Sequence, residues 1–182
     1  IRYYLMKEVI YGLDGKINID NLKNCINSDL ANNIGNLSQR IFTLVNKHFS
    51  SKVPDVKLSK EDSDFLLIPI DALKKNMENL EINNYIREIV SYSSKINKYV
   101  NDEEPWTKVK NSDDRVGAIL CVALNALKNI FVLLHPIMPE KSENFLSCLG
   151  IVPENISLKL INQNIDSNIT LIMPGLLCKK QI

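Results

Sequence analysis

Apolar residues recur along most of this chain at steps of three and four, the spacing that gathers them on one side of a helix. The pattern is clear over residues 29–49, where Leu30, Ile34, Leu37, Ile41, Leu44, Val45 and His48 fall on one face. A second stripe over residues 81–101 is drawn by Ile82, Tyr85, Ile86, Ile89, Val90, Ser93, Ile96 and Val100. Residues 113–135 are the most apolar and stop before Pro136, whose ring disfavours helical geometry in the residue ahead of it. Shorter patterns complete the set. After the turn Tyr11-Gly12-Leu13-Asp14-Gly15, Asp20 is placed to cap a helix carrying Leu22, Cys25 and Ile26. Ser59 is placed to cap a segment over residues 60–80 that Pro69 should kink or split, and Gly150 closes a helix over residues 140–149. Beyond residue 151 the period weakens to short alternating stretches such as Ile156-Ser157-Leu158-Lys159-Leu160, which predict an extended tail. The predicted fold is all-α: an up-and-down bundle of about five helices with an irregular C-terminal tail. Gly35, inside a helical stretch, costs about 1 kcal/mol of helix propensity and points to a close approach by another backbone or a ligand.

Composition narrows the function without naming it. The chain has 182 residues, 45% apolar and 24% charged, as expected of one globular protein. With Lys plus Arg at 22 and Asp plus Glu at 21, the formal charge is +1, so binding to a polyanion through bulk charge is excluded and any nucleic-acid role must rest on a local patch. No apolar run is expected to reach the ~18 to 20 residues that cross a bilayer, so the chain is read as soluble, with no membrane partner. Cys25, Cys121, Cys148 and Cys178 form no Cys-x-x-Cys pair, and only His48 and His135 could join them, so no zinc site is expected. Buried reduced thiols and a cytoplasmic location follow. The chain opens at Ile1 inside a helix-like stretch and reads as a piece of a longer protein.

Chemistry-bearing motifs are few. There is no glycine-rich phosphate loop, no Gly-x-Ser-x-Gly and no His-Glu-x-x-His. Lys57-Leu58-Ser59-Lys60-Glu61 has a superficial likeness to the Lys-Met-Ser-Lys-Ser loop of class I synthetases, but Ser59 is better used as a helix cap. Basic residues are 18 Lys and four Arg (Arg2, Arg40, Arg87, Arg115), which makes each Arg worth examining, since Lys cannot reproduce a planar fork. Asn36 and Arg40 stand four apart and Lys47 seven further on, a row of amide, guanidinium and ammonium beside the apolar stripe. Such a row suits base edges and a phosphate, or is simply a solvated helix face. Trp106, the only Trp, follows Pro105 in a polar stretch. It serves either as a staple over a helix end or as a platform for an unpaired base.

These residues carry a resemblance. Arg2-Tyr3-Tyr4-Leu5, Gly12-Leu13-Asp14-Gly15, the run from Asn27 through Asn36-Leu37-Ser38-Gln39-Arg40, Asn97-Lys98-Tyr99-Val100, Pro105-Trp106 and His135-Pro136-Ile137-Met138-Pro139-Glu140 are similar in order and spacing to methionyl-tRNA synthetases over about residues 1–150. The resemblance implies that residues 1–18 end a stem-contact region, that residues 19–150 form a helical anticodon-binding domain, and that residues 151–182 are a tail on the bundle. It implies recognition of the anticodon CAU of methionine tRNAs: Trp106 stacking on the leading cytosine, Asn36 and Arg40 on base edges, Lys47 near the backbone, and Pro105 fixing the loop. It also implies an upstream catalytic domain, absent here, as a partner. No cofactor is expected in this fragment; ATP and Mg belong to the full-length enzyme, a ligase joining methionine to its tRNA. Asn101 stands where an acidic residue is common in the family, which would weaken an ion pair orienting the arginine. Rival readings are a helical protein-interaction bundle and the corresponding domain of another class I synthetase.

Overall fold

A single apolar helix organises the molecule. In the computed structural model, which describes residues 1–180, helix α8 (Arg115–Leu134) has every residue buried except Arg115 and Ala118. At 20 residues and a mean hydropathy of 2.0 it is long and apolar enough to span a bilayer, contrary to the sequence expectation. Its most apolar stretch is 94% buried among the other elements, so that hydrophobicity belongs to the core. The long helix α6 (Ile82–Glu103) packs along it, with Ile86, Ile89, Ile96 and Val100 fully enclosed. Helix α1 (Arg2–Glu8) and α5 (Ile70–Glu78) lie against α6, while α9 (Pro139–Ser147) lies against α8. Aromatic packing ties three helices together: Phe131 of α8 stacks on Phe145 of α9 at 3.8 Å between ring centroids, and Phe42 meets Phe145 edge-on at 5.5 Å. Fully burying one such ring contributes about 1.5–3 kcal/mol.

The expected helix over residues 29–49 is part of a longer helical rod. It begins at α2 (Ile19–Cys25), widens into a π-helix (Ile26–Gly35) and tightens again into α3 (Asn36–His48). The cap at its start is Asn18, whose side chain accepts from the Asn21 N–H at 3.0 Å, and not Asp20, which lies in the first turn. The wide coil also explains Gly35. A Cβ built there would stand 2.7 Å from the Leu30 carbonyl oxygen, one π-turn back, so the close approach is made by the helix's own backbone. At the far end His48 is exposed, not part of the apolar face.

Ser59 caps α4 (Lys60–Asp64), its hydroxyl accepting from the Asp62 N–H at 3.1 Å, and Pro69 separates that short helix from α5. Helix α6 runs to Glu103 and is stopped by Glu104, which adopts the left-handed region at φ 45°. Pro105 then starts the one-turn helix α7 (Pro105–Lys108), where its missing N–H costs nothing. After α9, Gly150 takes φ 74° and the chain leaves the bundle.

The last part of the chain forms two 3-10 turns (Pro153–Asn155 and Leu158–Asn162), a single antiparallel bridge between Lys52 and Thr170, and several polar anchors. Asn125 of α8 accepts from the Ile165 N–H at 2.9 Å, Lys128 donates to the carbonyls of Leu160 and Gln163, and Gln39 donates to the Pro174 carbonyl at 3.0 Å. The last two residues of the tail lie outside the described residues. Among the described residues all four cysteines are free thiols, three buried and Cys178 half-buried.

Candidate nucleic-acid interface

Two elements far apart in sequence deliver the polar residues singled out above to one place. Arg40 projects from the first turns of α3 and lies over the Trp106 ring, 4.9 Å from guanidinium carbon to centroid. Its Nη2 donates to the Asn101 side-chain oxygen, near the end of α6, at 2.9 Å. The neutral amide of Asn101 therefore orients Arg40, where a carboxylate would have formed an ion pair. Among the described residues Arg40 has no ion-pair partner, and burial alone lowers its pKa from the usual arginine value. The guanidinium thus keeps an uncancelled positive charge beside an aromatic face.

Trp106 stays 38% exposed although one face carries Arg40. Pro105, the first residue of α7, is buried, so the short helix is anchored at its root and the indole stands outward. Asn36, exposed, lies one turn before Arg40 on the same helix, about 6 Å along the axis. Lys47 is exposed near the other end of α3, about 10 Å beyond Arg40, and takes no part in the contacts of the cluster. The fold thus joins Arg40, Trp106 and Pro105, sets Asn36 at the edge and leaves Lys47 apart.

An open polar groove of about 590 Å³ continues from Asn101 between the π-helix and α6. Asn32, Asn33, Ser94, Asn97 and Lys98 line it, with Asp29 and Asp102. Its floor is a satisfied amide and hydroxyl cluster. The Asn33 side-chain oxygen accepts from Asn97 at 2.6 Å and from Ser93 at 2.9 Å, while its nitrogen donates to Ser94 at 3.0 Å. Asn36 shares a face with Arg40 because the two stand one turn apart on α3. The usual helical period places Asn32 there as well, but a lone Asn in an Asn-rich chain gives no signal.

The arginine count held a second signal. Arg115, at the start of α8, grips Asp62 of α4 with both guanidinium nitrogens, Nη2 at 2.7 Å from Oδ1, and reaches Glu103 at 3.2 Å. Asp62 is 1% exposed and also accepts from Tyr99 at 3.0 Å and Ser59 at 3.0 Å. The bond from Arg115 is the main reason the Asp62 carboxyl is held below the usual range. Burial would raise Glu103, but bonds from Arg115 and Lys108 outweigh it and hold that carboxyl low as well. Nothing in the spacing of Asp62 and Arg115 announced this contact. No cluster of three or more metal-ligating side chains forms among the described residues.

Fold and surface together define an all-α bundle that presents an indole, a guanidinium and a set of amides from helix ends, the chemistry that takes up an unpaired base. A family model described as the anticodon binding domain of methionyl tRNA ligase matches residues 46–176, and one for class I tRNA synthetases (M) matches residues 1–42. The methionine–tRNA ligase of Rickettsia typhi is 35% identical over 162 residues, which is 85% of this chain and 32% of that protein. The free-state crystal structure of Mycobacterium tuberculosis methionyl-tRNA synthetase superposes with a TM-score of 0.92 at 24% identity, covering 100% of this chain and 38% of that one. A structure of the same enzyme in complex with methionyl-adenylate gives 0.89 at 26% identity, covering 97% and 36%. The chain belongs to the methionyl-tRNA ligase family, of which it carries the anticodon-binding domain. It spans about a quarter to a third of the length of the curated relatives it matches.

Proposed function

We propose that this chain selects methionine tRNAs by reading their CAU anticodon, within a longer class I ligase that activates methionine with ATP and Mg and esterifies it to the tRNA in the cytoplasm. The observation that carries the reading is the Arg40–Trp106–Asn101 cluster: an outward indole with one face backed by a guanidinium that no carboxylate among the described residues neutralises. Trp106 offers its other face to the leading cytosine, and base–aromatic stacking is worth about 1–3 kcal/mol regardless of base identity. Identity is then read by groups that the wrong base leaves unpaired. Arg40 donates to an acceptor edge of the anticodon bases, and Asn36 supplies both a carbonyl and an amide to them. An unsatisfied partner in a desolvated contact costs about 1–3 kcal/mol, more than the bond itself contributes. Pro105 holds the turn that presents Trp106, and Lys47 meets the RNA backbone beyond the bases.

In the same reading residues 1–18 belong to the stem-contact region, residues 19–150 to the anticodon-binding unit and residues 151–182 to a tail that lies on it. The upstream catalytic domain would cover the exposed apolar side chains of Ile10, Tyr11, Leu13 and Ile17.

Fluorescence titration tests the proposal, with Trp106 as the single intrinsic probe. A CAU anticodon stem-loop should quench Trp106 and bind more tightly than a stem-loop whose leading cytosine is replaced. Equal response to both RNAs would refute anticodon reading. A salt-resistant, RNase-insensitive protein partner would then favour an interaction bundle.

A further inference from the structure

The loop that presents Trp106 is closed at both ends by one ionic cluster. Residues 104–114 connect α6 to α8, and Trp106 is the third residue of that connection. Glu103, the last residue of α6, and Arg115, the first of α8, meet at 3.2 Å. Arg115 is in turn held by the buried carboxylate of Asp62, which Tyr99 of α6 also grips. Lys108, at the end of α7, folds back onto Glu103, with its ammonium 2.7 Å from the carbonyl oxygen and 3.2 Å from the side-chain carboxylate. Four helices therefore converge on Asp62 and Glu103 at the ends of the loop that carries Trp106. Between them Glu104 sits in the left-handed region at φ 45°, a conformation that L side chains adopt only where surrounding contacts impose it.

We propose that Arg115 is a positioning residue for anticodon reading: by bridging Asp62 and Glu103 it fixes where α6 ends, holds Glu104 in its left-handed turn and so aims the Trp106 ring. This rests on the function proposed above. Arg115 does not touch RNA; it acts through α7. The task needs a guanidinium, because two parallel donors must engage Asp62 while a further edge reaches Glu103. An ammonium, as a point charge, cannot hold both carboxylates in one geometry.

The test uses this chain carrying the double substitution Asp62→Asn with Arg115→Met, which removes the clamp without stranding a buried charge. Arg115→Lys and a Leu146→Ala control in α9 run beside it. Acrylamide quenching and the emission maximum of Trp106 are read without RNA, then affinity for the CAU stem-loop, with circular dichroism to verify helicity. The double variant should stay helical, expose Trp106 to acrylamide and lose about tenfold in CAU affinity, the lower part of what a lost stack costs. Arg115→Lys should fall between it and wild type, and it carries the test if the double variant fails to fold. Leu146→Ala should lose stability while leaving both readouts unchanged. Unaltered Trp106 quenching and affinity in the clamp variants, or equal changes in Leu146→Ala, would overturn the proposal. If wild type bound CAU and its cytosine-replaced counterpart alike, anticodon reading would fail, while Trp106 quenching in the RNA-free protein would still decide whether the clamp aims the ring.

Discussion

Replacing Arg40 by Lys separates the two things an arginine can do in this cluster. The substitution keeps one positive charge and removes the planar fork. In the free protein the guanidinium serves the Trp106 face at 4.9 Å and the Asn101 oxygen at 2.9 Å at once. An ammonium can keep one of these and not both. A cation over an exposed indole is worth about 0.5–1 kcal/mol, and a surface hydrogen bond about as much. The stability loss should therefore be about 1 kcal/mol, or 2–4 °C in Tm for a chain of this size. The binding loss should be larger. A fork matched to a base edge carries about 1–3 kcal/mol of discrimination, so CAU affinity should fall by about 30-fold, which corresponds to about 2 kcal/mol.

The assay is the stem-loop titration repeated over a range of salt for wild type, Arg40→Lys and Arg40→Met. Counterion release makes log affinity fall with log salt, by about 0.7 per phosphate contact for single-stranded RNA. If Arg40 reads a base, both variants lose CAU preference while Arg40→Lys keeps the wild-type salt slope. If Arg40 merely holds a phosphate, Arg40→Lys binds within about twofold of wild type and Arg40→Met flattens the slope by one contact. The second pattern would refute the assignment of Arg40 to base recognition.

Two further outcomes follow from the scaffold. Gly35→Ala should destabilise the chain by about 1–3 kcal/mol, because the new methyl must sit 2.7 Å from the Leu30 carbonyl oxygen, a backbone atom unable to move aside; a thermal melt at or above the wild-type midpoint, as Gly→Ala gives in an ordinary helix, would refute this. Burial lowers Lys128 to about 8, although the carbonyls of Leu160 and Gln163 accept its protons. Between that pH and the ordinary lysine value the unfolded chain holds a proton that the folded one releases, so the folded state gains stability as pH rises through the window. The stability difference between wild type and Lys128→Met, from urea midpoints, should climb from pH 8 to about 10.5, by at most about 3 kcal/mol. A flat difference would show that burial does not govern Lys128.

Helix positions were legible because burial imposes a period. The stripes on 81–101 and 113–135 became α6 and α8 with ends within about two residues, and Ser59 and Pro69 marked the start of α4 and the gap before α5 as local chemistry requires. The π-helix was not legible: over ten residues a period of 3.6 and one of about 4.4 scatter the same apolar positions, and Gly35 pointed to a close approach without saying of what. Asp20 lost the cap to Asn18 because two capping residues two apart compete for the same first turn, and only the entering chain direction decides between them.

The candidate site divides along a similar line. Asn36 and Arg40 share a helix face, so their relation is local and spacing shows it. Trp106 meets Arg40 across 66 positions of sequence, and only a resemblance to a family could place the two together before the fold was known. The clamp had no such help. Asp62 is one acidic residue among 21, and Arg115 opens a helix in an unremarkable acidic turn. What marked Arg115 was its scarcity. In a chain where lysine supplies nearly all the positive charge, three of the four arginines direct their forks at specific acceptors: Arg2 at the Pro136 carbonyl, Arg40 at Asn101, and Arg115 at Asp62 and Glu103. Lysine suffices for net charge and solubility, while a guanidinium adds a fixed donor geometry. On that argument Arg40 and Arg115 serve one turn, the first lying over the Trp106 ring and the second closing the loop that carries it.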